Sequence, residues 1–227
     1  REELEYAPET KAVYSDLGFM LLGRIVEKKS GYPFEQFVKE KVLMPLGLDK
    51  KIFFNPLFDS KHTLRNKEFA ATENCTWRKK TLYGEVHDDN CHAMGGVAGH
   101  SGLFGNIESV TTYTAWILDM WKGVASHPNI ENKDLVNFLV RQKKVPGSSR
   151  TLGFDTTAKS GSSSGKHFSK KSVGHLGFSG TSFWIDPEKH LVVVLLSNRV
   201  HLGRENTKIK QFRPYFHDMA IETIYST

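Results

Sequence analysis

Gly174-His175-Leu176-Gly177-Phe178-Ser179-Gly180-Thr181, running on into Ser182-Phe183-Trp184-Ile185-Asp186-Pro187, is the stretch on which the fold turns. Glycines at 174, 177 and 180 loosen a strand edge that carries one basic side chain, His175. Two short apolar runs follow, Ser182-Phe183-Trp184-Ile185 and Leu191-Val192-Val193-Val194-Leu195-Leu196, with the turn-rich Asp186-Pro187-Glu188-Lys189-His190 between them. That pattern predicts a hairpin. The second run is apolar on both faces, so it is expected to be a central, covered strand.

Upstream the period changes from two to 3.6. Tyr14-Ser15-Asp16-Leu17-Gly18 opens a helix in which Leu17, Met20, Leu21, Ile25 and Val26 share one side. Ser15 is placed as its N-cap, Lys28 and Lys29 suit its C-terminal end, and Gly31 is the expected stop. Pro33 opens a second helix through Phe34, Phe37 and Val38, ended by Pro45-Leu46-Gly47-Leu48. Residues 49–100 lose periodicity and predict a long structured loop. Val110, Tyr113, Ile117, Met120 and Trp121 mark a third helix, and Leu135, Phe138 and Leu139 a fourth. The Gly/Ser-rich residues 159–171 read as a flexible loop, and a last helix runs from about Pro214 to 225. Helices, antiparallel strands and a closing helix give an α/β (α+β layered) class, an antiparallel sheet flanked by helices.

Composition excludes some functions. The 227 residues are 39% hydrophobic and 25% charged, as in a soluble domain, and no apolar run is long enough for a membrane span. The net charge is +6, with local basic clusters at Arg141-Gln142-Lys143-Lys144 and Lys166-His167-Phe168-Ser169-Lys170-Lys171; neither a basic stripe with base-stacking aromatics nor a recognisable nucleic-acid module is present, so no nucleic-acid partner is expected. Cys75 and Cys91 are compatible with a disulfide or with free thiols. His87, Asp88, Asp89, Cys91, His92 and His100 are all metal-ligand types, but their irregular spacing matches no zinc pattern, and no metal is expected. The chain opens Arg1-Glu2-Glu3 without an initiator methionine, so we expect a piece of a longer protein.

Three motifs in order carry a resemblance. Tyr14-Ser15-Asp16-Leu17-Gly18-Phe19 resembles the helix-opening tyrosine motif of the β-lactamase-related, penicillin-recognising serine hydrolases. Gly95-Gly96-Val97-Ala98-Gly99-His100-Ser101-Gly102-Leu103-Phe104-Gly105 resembles their glycine-rich stretch before a helix, and the 174–186 stretch their last strand motif. The likeness covers nearly the whole chain and is nearer the class C, esterase and D-alanyl-peptidase branches than class A. It implies a β-lactamase/transpeptidase-like fold with a helical subdomain and its N-terminal part missing. The chain is then one domain, with residues 1–145 mainly helical subdomain and active-site loops, and 146–227 the C-terminal strands and final helix. It also implies a periplasmic or secreted location, no cofactor, and a substrate that is a peptidoglycan peptide, a small ester or a β-lactam.

Acyl transfer needs a nucleophile, a base and donors for the developing oxyanion. The resemblance casts Tyr14 as the base, which needs nearby cations because a free phenol titrates at about 10. His175 stands where many relatives carry the lysine of Lys-Thr-Gly, to polarise Tyr14 or hold a carboxylate when charged. The backbone N–H of Phe178 is cast as an oxyanion donor. Gly177 and Gly180 give the substrate room at the strand edge, and Asp16 replaces the Asn of Tyr-x-Asn, which favours ester or peptide over β-lactam. The family's nucleophile motif, Ser-x-x-Lys, should precede Tyr14. Its one spelling here, Ser163-Ser164-Gly165-Lys166, falls in a Gly/Ser-rich loop after it and is set aside. The nucleophile is therefore expected upstream of Arg1, on a missing segment that is itself a partner of this chain. The alternative is a catalytically inactive, cell-wall-binding module of the same fold.

Overall fold

The computed structural model describes residues 3–57, 69–140, 145 and 148–226. Helix α1 spans Asp16–Ser30 and ends as its sequence directs: Gly31 takes the left-handed conformation (φ 75°) and its N–H returns to the Glu27 carbonyl. Ser15 holds the extended N-cap position, but its side chain makes no capping bond. The second helix starts after Pro33 as α2 (Phe34–Phe37), then widens into a π-helix at Val38–Leu43 and tightens to a 3₁₀ turn at Met44–Leu46 before Gly47. No composition signal separates these three forms.

The 49–100 region is less featureless than expected. It contributes β1 (Ile52–Phe54), a small ladder of β2 (Asn74–Cys75) with β3 (Lys80–Thr81), and the short helix α3 (Asp89–Ala93). Strand β4 (Leu103–Gly105) pairs antiparallel with β1 and leads into α4 (Ile107–Trp121), whose N-cap Asn106 accepts from the Ser109 N–H. The fourth helix is α5 (Asn132–Leu139). The Gly95–Gly99 stretch runs against α1 so closely that a Cβ on Gly99 would collide with the Phe19 carbonyl.

The main sheet is antiparallel in the order β5 (Asp155–Thr156), β6 (Val173–Leu176), β7 (Ser182–Asp186), β8 (Leu191–Leu195). Pleating sends alternate side chains to opposite faces. Val173, Ile185 and Val192 pack with Ile117, Leu118 and Leu139 beneath α4 and α5. Trp184 and Val193 face the other way, onto Phe168 and Ile221 of the closing helix α6 (Ile209–Tyr225). Each such side chain, fully buried, contributes about 1.5–3 kcal/mol. Gly174 is a glycine because a Cβ there would lie 2.5 Å from the Trp184 ring.

Three expectations are corrected. Strand β8 is covered on both faces, but it is the edge of the described sheet; two helices, one per face, account for its apolar composition without a second neighbouring strand. Helix α6 begins at Ile209, so Pro214 lies inside its second turn, where the helix forgoes one ladder bond, and does not open it. The Gly/Ser-rich loop is tied down. Its Ser163 carbonyl accepts from buried His217 (2.8 Å), its Lys166 N–H donates to Asp218 (2.5 Å), and Ser169 donates through backbone and hydroxyl to buried Asp186. The Lys166–Lys171 cluster is spread through this loop, whereas the basic run at 141–144 lies outside the described residues. Cys75 and Cys91 are buried free thiols, and no described helix is long and apolar enough to cross a membrane.

Candidate functional site

Tyr14 stands at the mouth of α1, 44% exposed, with its ring 5.7 Å from Phe19 and 5.9 Å from His175. The antiparallel pairing of β5 with β6 brings a third group in. Arg150, just before β5, holds its guanidinium 4.8 Å over the Tyr14 ring and is anchored by Asp155 at 2.6 Å. Tyr14 and Arg150 line one groove of about 340 Å³ with Tyr6, Val13, Phe19 and Leu152. The sequence offered no sign of Arg150, whose partner lies 136 positions away in a segment of no period.

The phenol is not activated by these neighbours. Burial raises its pKa first, and the Asp16 carboxylate raises it further, both as a charge and as a hydrogen-bond acceptor; the opposing pull of Arg150 does not offset them. Asp16 thus works against Tyr14 ionisation within this chain. His175 sits on β6 opposite Phe183, and its Nδ1 donates to the Leu176 carbonyl at 3.1 Å, which assigns the proton to Nδ1. Burial lowers its pKa, and Asp155 and the carbonyl only partly counter that, so His175 is neutral at neutral pH. A carboxylate-holding His175 would require acid.

The β6–β7 turn carries Gly177, Phe178 and Gly180. The side of Gly177 on which a Cβ would stand is filled by the Thr181 hydroxyl, and the same side of Gly180 (φ 116°) by Ser197 Oγ. The glycines are therefore explained by the turn's own packing. The Phe178 ring stacks with His87 (5.6 Å, 22° between planes) and has the Arg199 guanidinium 4.5 Å from its centre. Among the described residues the N–H groups of Phe178 and Ser179 have no acceptor. Such N–H groups on a turn suit an oxyanion.

His87 brings a charged cluster behind this turn. Arg204 is bidentate to buried Glu73 (2.6 and 3.1 Å) and also pairs with Asp89 (2.8 Å), while Arg78 reaches Glu85 and Asp89 at 3.1 Å each. Arg204 holds the Glu73 carboxyl below its usual range and that of Asp89 at about 2. The metal-type residues of this segment are engaged in such pairs: Asp88 caps α3 and meets His100 at 2.8 Å, and His92 lies 3.1 Å from Glu85. No group of three or more His, Cys, Asp or Glu side chains that could hold a metal ion occurs among the described residues. Cys91, pushed up to about 12 by burial, is no nucleophile.

Ser163-Ser164-Gly165-Lys166 is not helical. Ser164 is fully buried against Ser162 Oγ at 2.7 Å, and Gly165 is left-handed, so Lys166 is not one helical turn above Ser163. No nucleophile–base pair for acyl transfer is assembled from it.

The sequence profile of the family described as Beta-lactamase matches residues 1–213. A protein of Escherichia coli (strain K12), provisionally named a D-alanyl-D-alanine carboxypeptidase, is 34% identical over 217 residues, 88% of this chain and 48% of that protein. An N-acetylmuramyl-L-alanine amidase of Bacillus subtilis (strain 168) is 36% identical over 216 residues, covering 87% of this chain and 46% of that protein. The chain thus spans about half the length of the curated relatives it matches. A beta-lactamase structure from Mycobacterium bovis superposes with a TM-score of 0.67 at 19% identity, over 98% of this chain and 67% of that one.

Proposed function

The chain belongs to the beta-lactamase family of serine hydrolases and has its β-lactamase/transpeptidase-like fold, and from that premise we propose that it forms the tyrosine- and turn-bearing part of an acyl-enzyme hydrolase acting on peptidoglycan peptides. The observation that carries this reading is the convergence of Tyr14 and His175, 5.9 Å apart, beside a turn with two unpartnered N–H groups. Tyr14 is the base, neutral His175 orients it, and the Phe178 N–H receives the oxyanion. Gly177 and Gly180 let the turn close on Thr181 and Ser197 and so hold in place the strand edge along which the substrate lies, and Asp16 takes the place of an amide in substrate recognition.

The nucleophile comes from part of the protein outside these 227 residues. Two observations support this. Leu17, Leu21, Leu22 and Ile25 form an exposed apolar face on α1, and β8 has no partner on its outer edge among the described residues. A segment packed there would bring the cation that Tyr14 lacks. The peptidase reading is favoured by the names of the two curated relatives, both of which refer to D-alanyl or muramyl-alanine bonds. A periplasmic or secreted location follows from such a substrate. The 227-residue chain alone is then inactive.

A fluorophosphonate serine probe tests this, read by intact mass. The whole protein should gain one probe mass on a serine outside this chain, and the 25.7 kDa chain alone should gain none. If the whole protein stays unlabelled, the hydrolase reading fails and the inactive cell-wall-binding module replaces it.

A further inference from the structure

The carbonyls of the β6–β7 turn are claimed from behind by two arginines. Arg213 of α6, only 7% exposed, donates through Nη2 to the Gly177 carbonyl at 2.6 Å and the Thr181 carbonyl at 2.8 Å. Arg199 donates through Nε to the Phe178 carbonyl at 2.8 Å, and its backbone N–H donates to that of Ser179 at 2.8 Å. Arg213 has no carboxylate partner, and its Nε is buried without an acceptor among the described residues. Such an arrangement is costly unless the charge serves something.

The peptide units explain what it serves. The Gly177 carbonyl and the Phe178 N–H belong to one planar amide, and the Phe178 carbonyl and the Ser179 N–H to the next. Both unpartnered N–H groups therefore sit on amides whose oxygen accepts from a guanidinium. A cation on the oxygen fixes the peptide plane and withdraws electron density from nitrogen, which strengthens the N–H as a donor. Resting on the hydrolase reading above, we propose that Arg213 is a positioning residue which aims and polarises the Phe178 N–H as a donor to a substrate oxyanion, with Arg199 holding the next peptide plane of the turn through the Phe178 carbonyl. His217, one turn along α6 and hydrogen-bonded to Ser182 at 3.2 Å, is within electrostatic reach of Arg213, and Arg199 is the nearby charge that, after burial, holds the Arg213 pKa below its usual value.

Arg213→Met and Arg213→Lys in the whole protein test this, with turnover of an ester or peptide substrate and the amide proton shifts read together. Full removal of an oxyanion donor costs about 10²–10³ in kcat, so a donor that is only weakened predicts a loss of about tenfold or more in Arg213→Met with KM within about twofold. The lysine keeps a charge that can reach one carbonyl. Buried beside Arg199 it should restore part of kcat at neutral pH and lose it on the alkaline side, a limb the wild type lacks. The Phe178 amide proton should move upfield in the methionine variant and return part of the way in the lysine variant. A methionine variant with kcat within twofold of wild type and an unmoved Phe178 resonance overturns the proposal, as does a lysine variant indistinguishable from it at every pH. If the wild type itself turns over nothing, the functional reading has failed, and the amide shifts alone decide the clamp.

Discussion

The two ends of the candidate site are finished to different degrees. At the 177–181 turn every one of four carbonyls is supplied: those of Gly177, Phe178, Ser179 and Thr181 all accept from donors within the chain, the glycine sides are filled by Thr181 and Ser197, and the Phe178 and Ser179 N–H groups are left open among the described residues. At the mouth of α1 the balance is open. Tyr14 has one cation above its ring and a carboxylate that outweighs it, and the helix behind it exposes Leu17, Leu21, Leu22 and Ile25. Donors for an oxyanion can be built by one segment folding on itself. A phenolate base needs charges from several segments, and on the proposed reading the remaining ones come from outside these 227 residues.

The largest effect that would break this contrast is at Tyr14. Tyr14→Phe in the whole protein should slow acylation about 10²-fold or more, measured as the rate of probe labelling. In the 227-residue chain the Tyr14 phenol should titrate above the usual value near 10 by ultraviolet absorbance, and below it once the rest of the protein is present. A phenol already depressed in the chain alone would make the α1 end as complete as the turn.

Gly180→Ala should come next. Its φ of 116° and the Ser197 hydroxyl where a Cβ would stand predict a loss of about 2–3 kcal/mol by denaturant unfolding. An acid titration probes the cluster behind the turn. Asp89, held at about 2, and Glu73 have folded pKa values below their unfolded ones near 4, so their contribution is present above about pH 4 and is lost as pH falls toward 2. Arg204→Met should flatten that acid loss and lower stability at neutral pH by about 1–2 kcal/mol, after allowance for the partial exposure of Arg204 and Asp89.

The smallest effects belong to α1. Gly18 has nothing within 4 Å of a built Cβ, so Gly18→Ala should stabilise the 227-residue chain by about 0.5–1 kcal/mol. Leu21→Gln should change that chain by less than about 0.5 kcal/mol, yet destabilise the whole protein by more than 1 kcal/mol where an added segment covers the face. Equal effects in both would remove α1 as a docking face.

Local signals were the legible ones. Gly31 after the Leu17–Val26 stripe ended α1, and the two short apolar runs at 182–196 with the turn-rich residues between them gave the β7–β8 hairpin. The motif order also placed Tyr14 and His175 together, a contact across more than half the chain. What could not be read was whatever depends on pairing without period. Arg150, Arg199 and Arg213 are scattered in segments where an arginine is ordinarily solvated, and each acts through a partner far along the chain. The sign of the Tyr14 shift was hidden for the same reason, since it is a sum over Asp16, Arg150, Asp155 and burial. The edge position of β8 was hidden because two apolar faces report coverage and say nothing of neighbours.

The two buried thiols set one further condition on the molecule. Cys75 and Cys91 are unpaired and nearly inaccessible, and the Cys91 thiol stays protonated far above neutral pH. Thiolate is the species that alkylating reagents and oxidants attack. These two thiols therefore contribute no disulfide to the fold of this chain, and a thiol reagent added in excess would act as a clock for opening of the chain, its reaction rate timing how often the core around α3 comes apart.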